Sequence, residues 1–360
     1  MDINRFLSYM IDKDASDLFF APGAPVLLKV HNETKPVNPD KIITGDEIKS
    51  MAYSLVSSQH IEQFETQWEL NAGVTVEDIG RFRISLMKQR NEISMVIRLI
   101  HTEPPSIESL NLPPVLKTLV NNRRGLILVA GATCSGKSST MAAMINHRNE
   151  TQHGHILTIE DPLEFLHSYK KCIVNQRELG VDTHSYNDAL KNAIREAPDV
   201  ILIGEIRDMD TMKSAIAFAE TGHLCIATIH ASNCIETLDR VLNFFPQASH
   251  HQVLMDLSRN LSAVVCQRLI KGKEILWPAI ELLTNSPYIQ DLIQRGDFDS
   301  INQALSRRDK EDAMTFDSSL IALYSQGKIS KEAAIEHADS KHNMTVQIRL
   351  LDERLHKKAV

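Results

Sequence analysis

The chain lacks any apolar run near the roughly 18 residues needed to cross a bilayer as a helix. Its longest, Gly125 to Ala132, has the length of one buried strand. Paired cysteines are also missing. Cys134, Cys172, Cys225, Cys234 and Cys266 are odd in number, scattered and without a C-x-x-C pair. That pattern points to reduced thiols in the cytoplasm and argues against a structural zinc module. There is no basic excess: 39 Lys and Arg stand against 46 Asp and Glu, a formal charge of −7. Bulk electrostatics therefore argue against nucleic acid as a partner, although a local basic patch stays open. The N-terminal Met1-Asp2-Ile3-Asn4-Arg5-Phe6 has no basic region followed by an apolar one, so it does not read as a secretion signal. No internal repeat or low-complexity tract is present.

What is present is a globular composition, 43% hydrophobic and 24% charged, in 360 residues. That is enough for two domains with separate cores. Residues 1–100 alternate short apolar runs with turn signals. Asp17–Phe20, Val26–Val30, Gly80–Leu86 and Ile93–Ile100 have strand character, and 46–66 reads as a helix. This is a small α+β domain. Four prolines between His101 and Pro114 mark a linker, taken as 101–115. Over 116–285 apolar strands (Leu126–Ala130, Ile156–Ile159, Val200–Ile203 and Leu224–Ile229) alternate with helical stretches, one running from Asp210 to a stop at Gly222. Continuous apolar strands suit a parallel sheet covered on both faces. The remainder, 286–360, reads as helical, with Met344, Ile348, Leu351 and Leu355 on one face of the last helix.

Gly131-Ala132-Thr133-Cys134-Ser135-Gly136-Lys137-Ser138 fits G-x-x-x-x-G-K-[ST] between an apolar strand and a helix. In that setting backbone N–H groups and the helix N-terminus cradle phosphate oxygens. Lys137 would reach the β- and γ-phosphates of ATP and Ser138 would ligate Mg²⁺, with Ser139 completing the nucleotide-binding run. Glu160 ends one strand, Glu205 another and His230 a third. Ligands of an open parallel sheet bind beyond the carboxyl ends of its strands, so these residues point toward one crevice. Glu205, where a Walker B acid belongs, would hold the Mg²⁺ water shell or orient the attacking water, and Glu160 is the alternative base. His230 and His223 either sense the γ-phosphate or are satisfied structural groups. Arg81 and Arg83 share one side of a strand, since side chains repeat with period two. They form either a solvated face or a pair that neutralises transferring phosphate in trans.

Four stretches resemble the Walker A, Asp box, Walker B and His box of the type IV pilus retraction ATPases. They are Gly131–Ser138, Ile159–Phe165, Ala197–Asp208 and Thr221–His230. Ala15-Ser16-Asp17-Leu18 and Leu112-Pro113-Pro114 also match, so the resemblance spans nearly the whole chain. It implies a PAS-like N-terminal domain, a RecA-like P-loop ATPase domain with a helical C-terminal region, and a hexameric homo-oligomer. It also implies pilus disassembly from the cytoplasmic side of the inner membrane, peripherally bound to the platform protein of the pilus machine. Gly222–Ala231 and Pro287–Ile293 look closer to the PilU-type accessory motor, working beside a PilT-type motor, because the principal motor's Ala-Ile-Arg-Asn-Leu motif is missing. Cys134 stands where the family usually has glycine, and would strain the loop if that position needs φ > 0. A pilus or secretion assembly motor, a DNA-translocating ring and a nucleotide-bound coupling adaptor are the alternatives.

Overall fold

The computed structural model describes residues 2–30, 33–100, 103–273, 275–306 and 313–358, with side chains to residue 353. The chain folds as two compact units, Met1–Glu103 with Glu164–Leu166, and Pro104–Leu163 with His167–Val360.

The first unit runs α1 (Ile3–Asp12), β1 (Asp17–Phe20), β2 (Ala24–Pro25), β3 (Leu27–Val30), β4 (Glu33–Pro36), β5 (Ile42–Ile43), α2 (Gly45–Leu55), α3 (Ser58–Gln67), β6 (Glu69–Val76), β7 (Gly80–Gln89) and β8 (Glu92–Ile100). Six strands form an antiparallel sheet in the order β4-β3-β1-β8-β7-β6. Alternation along β7 buries Phe82, Ile84 and Leu86. They join the helix residues Leu7, Met10, Ile48, Met51 and Phe64 in one core. The single helix expected over 46–66 is two. Val56 is extended, and the Ser57 hydroxyl accepts from the His60 N–H to start a new helix.

The second unit runs α4 (Val115–Val120), β9 (Gly125–Ala130), α5 (Lys137–Thr151), β10 (Gly154–Glu160), β11 (Cys172–Glu178), α6 (Tyr186–Ala193), β12 (Val200–Ile203), α7 (Met209–Glu220), β13 (Leu224–Ile229), α8 (Cys234–Asn243), α9 (His250–Asn260), β14 (Leu261–Lys271), β15 (Leu276–Thr284), α10 (Pro287–Arg295), α11 (Phe298–Ser306), β16 (Ala313–Met314), α12 (Phe316–Ser325), α13 (Lys331–His337) and α14 (Lys341–Lys358). Its sheet has the order β11-β10-β12-β13-β9-β14-β15-β16. The first six are parallel, and β15 and β16 close the edge antiparallel. This is the expected RecA-like arrangement. Along β9, Leu126 and Leu128 enter one core while Ile127 and Val129 enter the other, which is why the strand is apolar at every position.

The sequence reading missed β11, β14 and β15. The helix expected to start at Asp210 is α7, capped at its start by Asp208, whose carboxylate accepts from the Thr211 N–H. It ends before Gly222, whose φ of +99° turns the chain into β13. In α14 Met344 and Ile348 are buried as expected and Leu351 is half-buried, whereas the Leu355 side chain lies outside the described residues. Among the described residues no helix is long and apolar enough to cross a membrane.

Candidate active site

Parallel pairing sets the site. Ile229 of β13 pairs with Ala130 of β9, and Ile159 of β10 with Ile203 of β12. Gly131, Gly204-Glu205 and His230 follow those strand ends and Glu160 is the last residue of β10, so all emerge at the carboxyl ends of the parallel strands.

After β9 the chain wraps residues 131–136 into a loop and enters α5 at Lys137. The Lys137 ammonium is buried and donates to the carbonyl oxygens of Gly131 and Ala132, each at 2.8 Å. Gly131 is forced by close approach: a Cβ there would sit 2.7 Å from the Gln267 carbonyl of β14. Gln267 reaches the loop's helix too, since its Oε1 accepts from the Thr140 hydroxyl at 2.6 Å. Ala132, Thr133 and Cys134 are exposed, while Ser138 and Ser139 are half-buried in the first turn of α5. The Ser135 hydroxyl is buried with no hydrogen-bond partner among the described residues, a donor held inside the phosphate loop. Cys134 adopts φ +62°, so its side chain sits where glycine is favoured, at a cost of about 1 kcal/mol.

Across the strand ends stand the acids. Glu160 Oε1 accepts from the Thr158 hydroxyl at 2.7 Å. Glu205 has a donor on each oxygen: Arg207 Nη2 at 2.7 Å and Nε at 2.9 Å on Oε2, and His230 Nε2 at 3.0 Å from Oε1. Arg207 also stands 3.6 Å from Asp161. The Glu205 hydrogen bond is the main cause that raises the Arg207 pKa above its ordinary value. The turn is held by backbone: Gly204 N–H donates to Ile159 O and Ile206 N–H to Thr228 O, both at 2.8 Å, and the Thr228 hydroxyl donates to Gly204 O. A Cβ on Gly204 would lie 3.1 Å from both the Glu160 Cα and the Tyr186 hydroxyl, so this tight crossing leaves little room for a side chain. Burial raises the Tyr186 pKa, with Asp161 adding to it, and its hydroxyl has no hydrogen-bond partner among the described residues.

The hard oxygen donors here, a serine hydroxyl and carboxylates, are those magnesium takes. Because both Glu205 oxygens already carry protein donors, Glu205 suits contact with the ion's water shell or with a water nucleophile better than direct ligation.

The model of the family described as type II/IV secretion system protein matches residues 1–275. The chain is 43% identical over 358 residues to the type IV pilus ATPase PilU of Pseudomonas aeruginosa, covering 98% of this chain and 93% of that one. It is 36% identical over 346 residues to the PilT retraction ATPase of the same organism, covering 95% and 100%. A crystal structure of the pilus retraction motor PilT with bound ADP superposes with a TM-score of 0.89 at 35% identity, covering 95% of this chain and 98% of that one. The chain belongs to the type II/IV secretion system protein family.

As a member of that family it is an ATPase, and Gly131–Ser138, Glu160, Glu205 and His230, one part of each expected box, lie at the carboxyl ends of the parallel strands. His223 is not among the converging groups. Its Nδ1 lies 3.0 Å from the Thr221 hydroxyl and 3.2 Å from Phe218 O, which ties it to the end of α7. Arg81 and Arg83 belong to the first unit, on the face of β7 opposite Phe82 and Ile84, and both are half-buried. Arg83 pairs across the sheet with Arg98, which is bound to the buried Asp17 at 2.8 Å. Sequence reasoning gave no role to Arg207, Gln267 or Tyr186. Arg207 was legible as the residue two past the Walker B acid, whereas Gln267 and Tyr186 carry no local signal.

Proposed function

We propose that this chain is an ATP-hydrolysing motor of type IV pilus retraction, acting as the PilU-type accessory motor beside a PilT-type partner. The observation that carries the reading is the joint placement of the phosphate loop, Glu160, Glu205 and His230 at the carboxyl ends of parallel strands, in a chain 43% identical to a PilU over nearly its whole length.

In this reading Lys137 exchanges its two loop carbonyls for β- and γ-phosphate oxygens, and the Ser135 hydroxyl and the loop N–H groups take the rest. The Ser138 hydroxyl would hold Mg²⁺, which when bound would supply charge neutralisation on those oxygens. Glu205, fixed at both oxygens by Arg207 and His230, orients the attacking water, with Glu160 on the neighbouring strand as the second carboxylate. Arg81 and Arg83 reach the phosphates of a neighbouring protomer in a hexameric ring. The ring docks on the inner-membrane platform protein at the pilus base, on the cytoplasmic side.

The test is ATP turnover of the purified chain with its oligomer mass measured in parallel. The expected result is a ring whose turnover is abolished in Lys137→Ala without loss of fold. Mixing that variant with Arg81→Ala/Arg83→Ala should restore part of the activity, because an intact lysine site then faces intact arginines. Turnover surviving Lys137→Ala sinks the phosphate-loop assignment. No recovery in rings that have exchanged subunits sinks the trans arginines.

A further inference from the structure

Behind the site, outside the groups assigned to hydrolysis, three ligating side chains meet in the core. Cys234 is the first residue of α8, Cys266 lies in β14, and Glu281 lies in β15 directly across from Cys266. All three are buried, and their ligand atoms lie within 4.8 Å of one another. The two Sγ atoms are 3.7 Å apart. A tetrahedral ion with metal–sulfur bonds of about 2.3 Å holds two thiolates about 3.8 Å apart, so the sulfurs already have the required separation. Glu281 is anchored by accepting the Cys234 N–H on Oε2 at 2.6 Å. A carboxylate oxygen has further lone pairs, so that bond leaves it able to ligate. The Thr237 hydroxyl, one turn along α8, stands 3.7 Å from the Cys266 sulfur and is placed as the fourth neighbour.

We propose that Cys234, Cys266 and Glu281 bind one thiophilic divalent cation, with zinc the chemical fit. Two soft thiolates select zinc over magnesium or calcium. Loading displaces the thiol protons of Cys234 and Cys266 to solvent, the sulfur lone pairs form the metal bonds, and no oxidation state changes. The two thiolates and the carboxylate leave one excess negative charge on the bound ion, offset by the N-terminus of α8 and by the neighbouring Arg268. The position gives the ion a structural task. Cys266 pairs with Ala130, the residue before the phosphate loop, and Cys234 follows His230 by a short turn. One ion would therefore tie the histidine-bearing segment to the strand that underlies the phosphate loop. The sequence hid the cluster because its members are separated by long stretches rather than paired as C-x-x-C.

The test uses the full chain, refolded or incubated anaerobically with Co²⁺ as spectroscopic probe and then with Zn²⁺. The expected result is one equivalent of cobalt with thiolate-to-metal charge-transfer absorption and tetrahedral d–d bands, displaced by zinc. Cys134→Ser, which removes the exposed thiol, should keep the spectrum. Cys234→Ser and Cys266→Ser should each abolish it, and Glu281→Gln should weaken binding more than about tenfold. Zinc should raise the melting temperature of the unmutated chain and leave that of Cys234→Ser/Cys266→Ser unchanged. Because the unmutated and Cys134→Ser chains suffice, variants that do not fold still leave a decision. Absence of a stoichiometric spectrum in the folded unmutated chain, or its loss in Cys134→Ser, overturns the site. A Cys234–Cys266 disulfide in protein purified with reductant excluded, detected as a mass lighter by two hydrogens and with no cobalt taken up after reduction, overturns it as well.

Discussion

Arg207 Nη2 and Nε both point at Glu205 Oε2, at 2.7 and 2.9 Å, although only one residue separates the two in sequence. With His230 on the other oxygen, the carboxylate has no free rotation. Arg207→Ala is expected to lower kcat roughly tenfold to 100-fold with little change in nucleotide affinity, because it loosens the carboxylate without touching the phosphate loop. Arg207→Lys should recover only part, since a point charge cannot reproduce the two-nitrogen contact. Steady-state kinetics with a nucleotide-binding titration decides it, and an affinity loss equal to the rate loss would place Arg207 on the nucleotide instead.

Glu205→Gln should keep ATP binding and reduce turnover by roughly 10²–10⁴-fold, because an amide cannot take a proton. Glu160→Gln should cost less, as Glu160 already accepts from the Thr158 hydroxyl on its own strand. Phosphate release measured beside equilibrium binding separates the two. The reverse ranking would move the base to Glu160.

Tyr186 buries a phenol hydroxyl that finds no hydrogen-bond partner among the described residues. Removing a buried polar group that lacks a partner relieves its desolvation. Tyr186→Phe should therefore leave stability unchanged or raise it by up to about 1 kcal/mol in denaturant unfolding. A loss of that size would show that the hydroxyl has a partner.

His167 gives a pH dependence. Burial, with the nearby Lys170 ammonium, pushes its pKa from 6.5 down to about 4. Between those values the unfolded chain binds a proton that the folded one refuses, so stability falls as pH falls from 6.5 toward 4. This single group should remove up to about 3 kcal/mol across that window. His167→Phe should flatten that slope, read by urea unfolding at a series of pH values. An unchanged slope would mean that other groups carry it.

The parallel strands were legible because burial on both faces demands unbroken apolar runs, as in Val200–Ile203 and Leu224–Ile229. The phosphate loop was legible because its G-x-x-x-x-G-K-S spacing is contiguous in sequence, even though Gly131 answers to the approach of Gln267 from β14. In contrast, β14 carries Gln267 and Arg268, β15 carries Glu281 and Pro278, and β11 lies at the sheet edge with exposed positions, so none reads as a core strand. The break between α2 and α3 rests on one serine cap, a signal too small to divide an otherwise helical run. Within the site, the residues at strand ends were found, and those arriving from elsewhere were not. Gln267 reaches the loop only because β14 pairs beside β9, and Tyr186 only because α6 begins beneath Gly204.

The pairing of β9 also sets when the nucleotide loop is built during folding. Gly125 pairs with Leu224, and Leu126 with Leu261, so neither neighbour of this strand is close in sequence. Long closures of this kind lose chain entropy before any contact returns it, which makes them late events. During synthesis the strand leading into Lys137 has no partner until β13 emerges, and gains its second only with β14. A chain stopped before residue 224 should thus leave residues 131–136 open to protease while the first unit is already resistant, and equal protection of both would contradict that order.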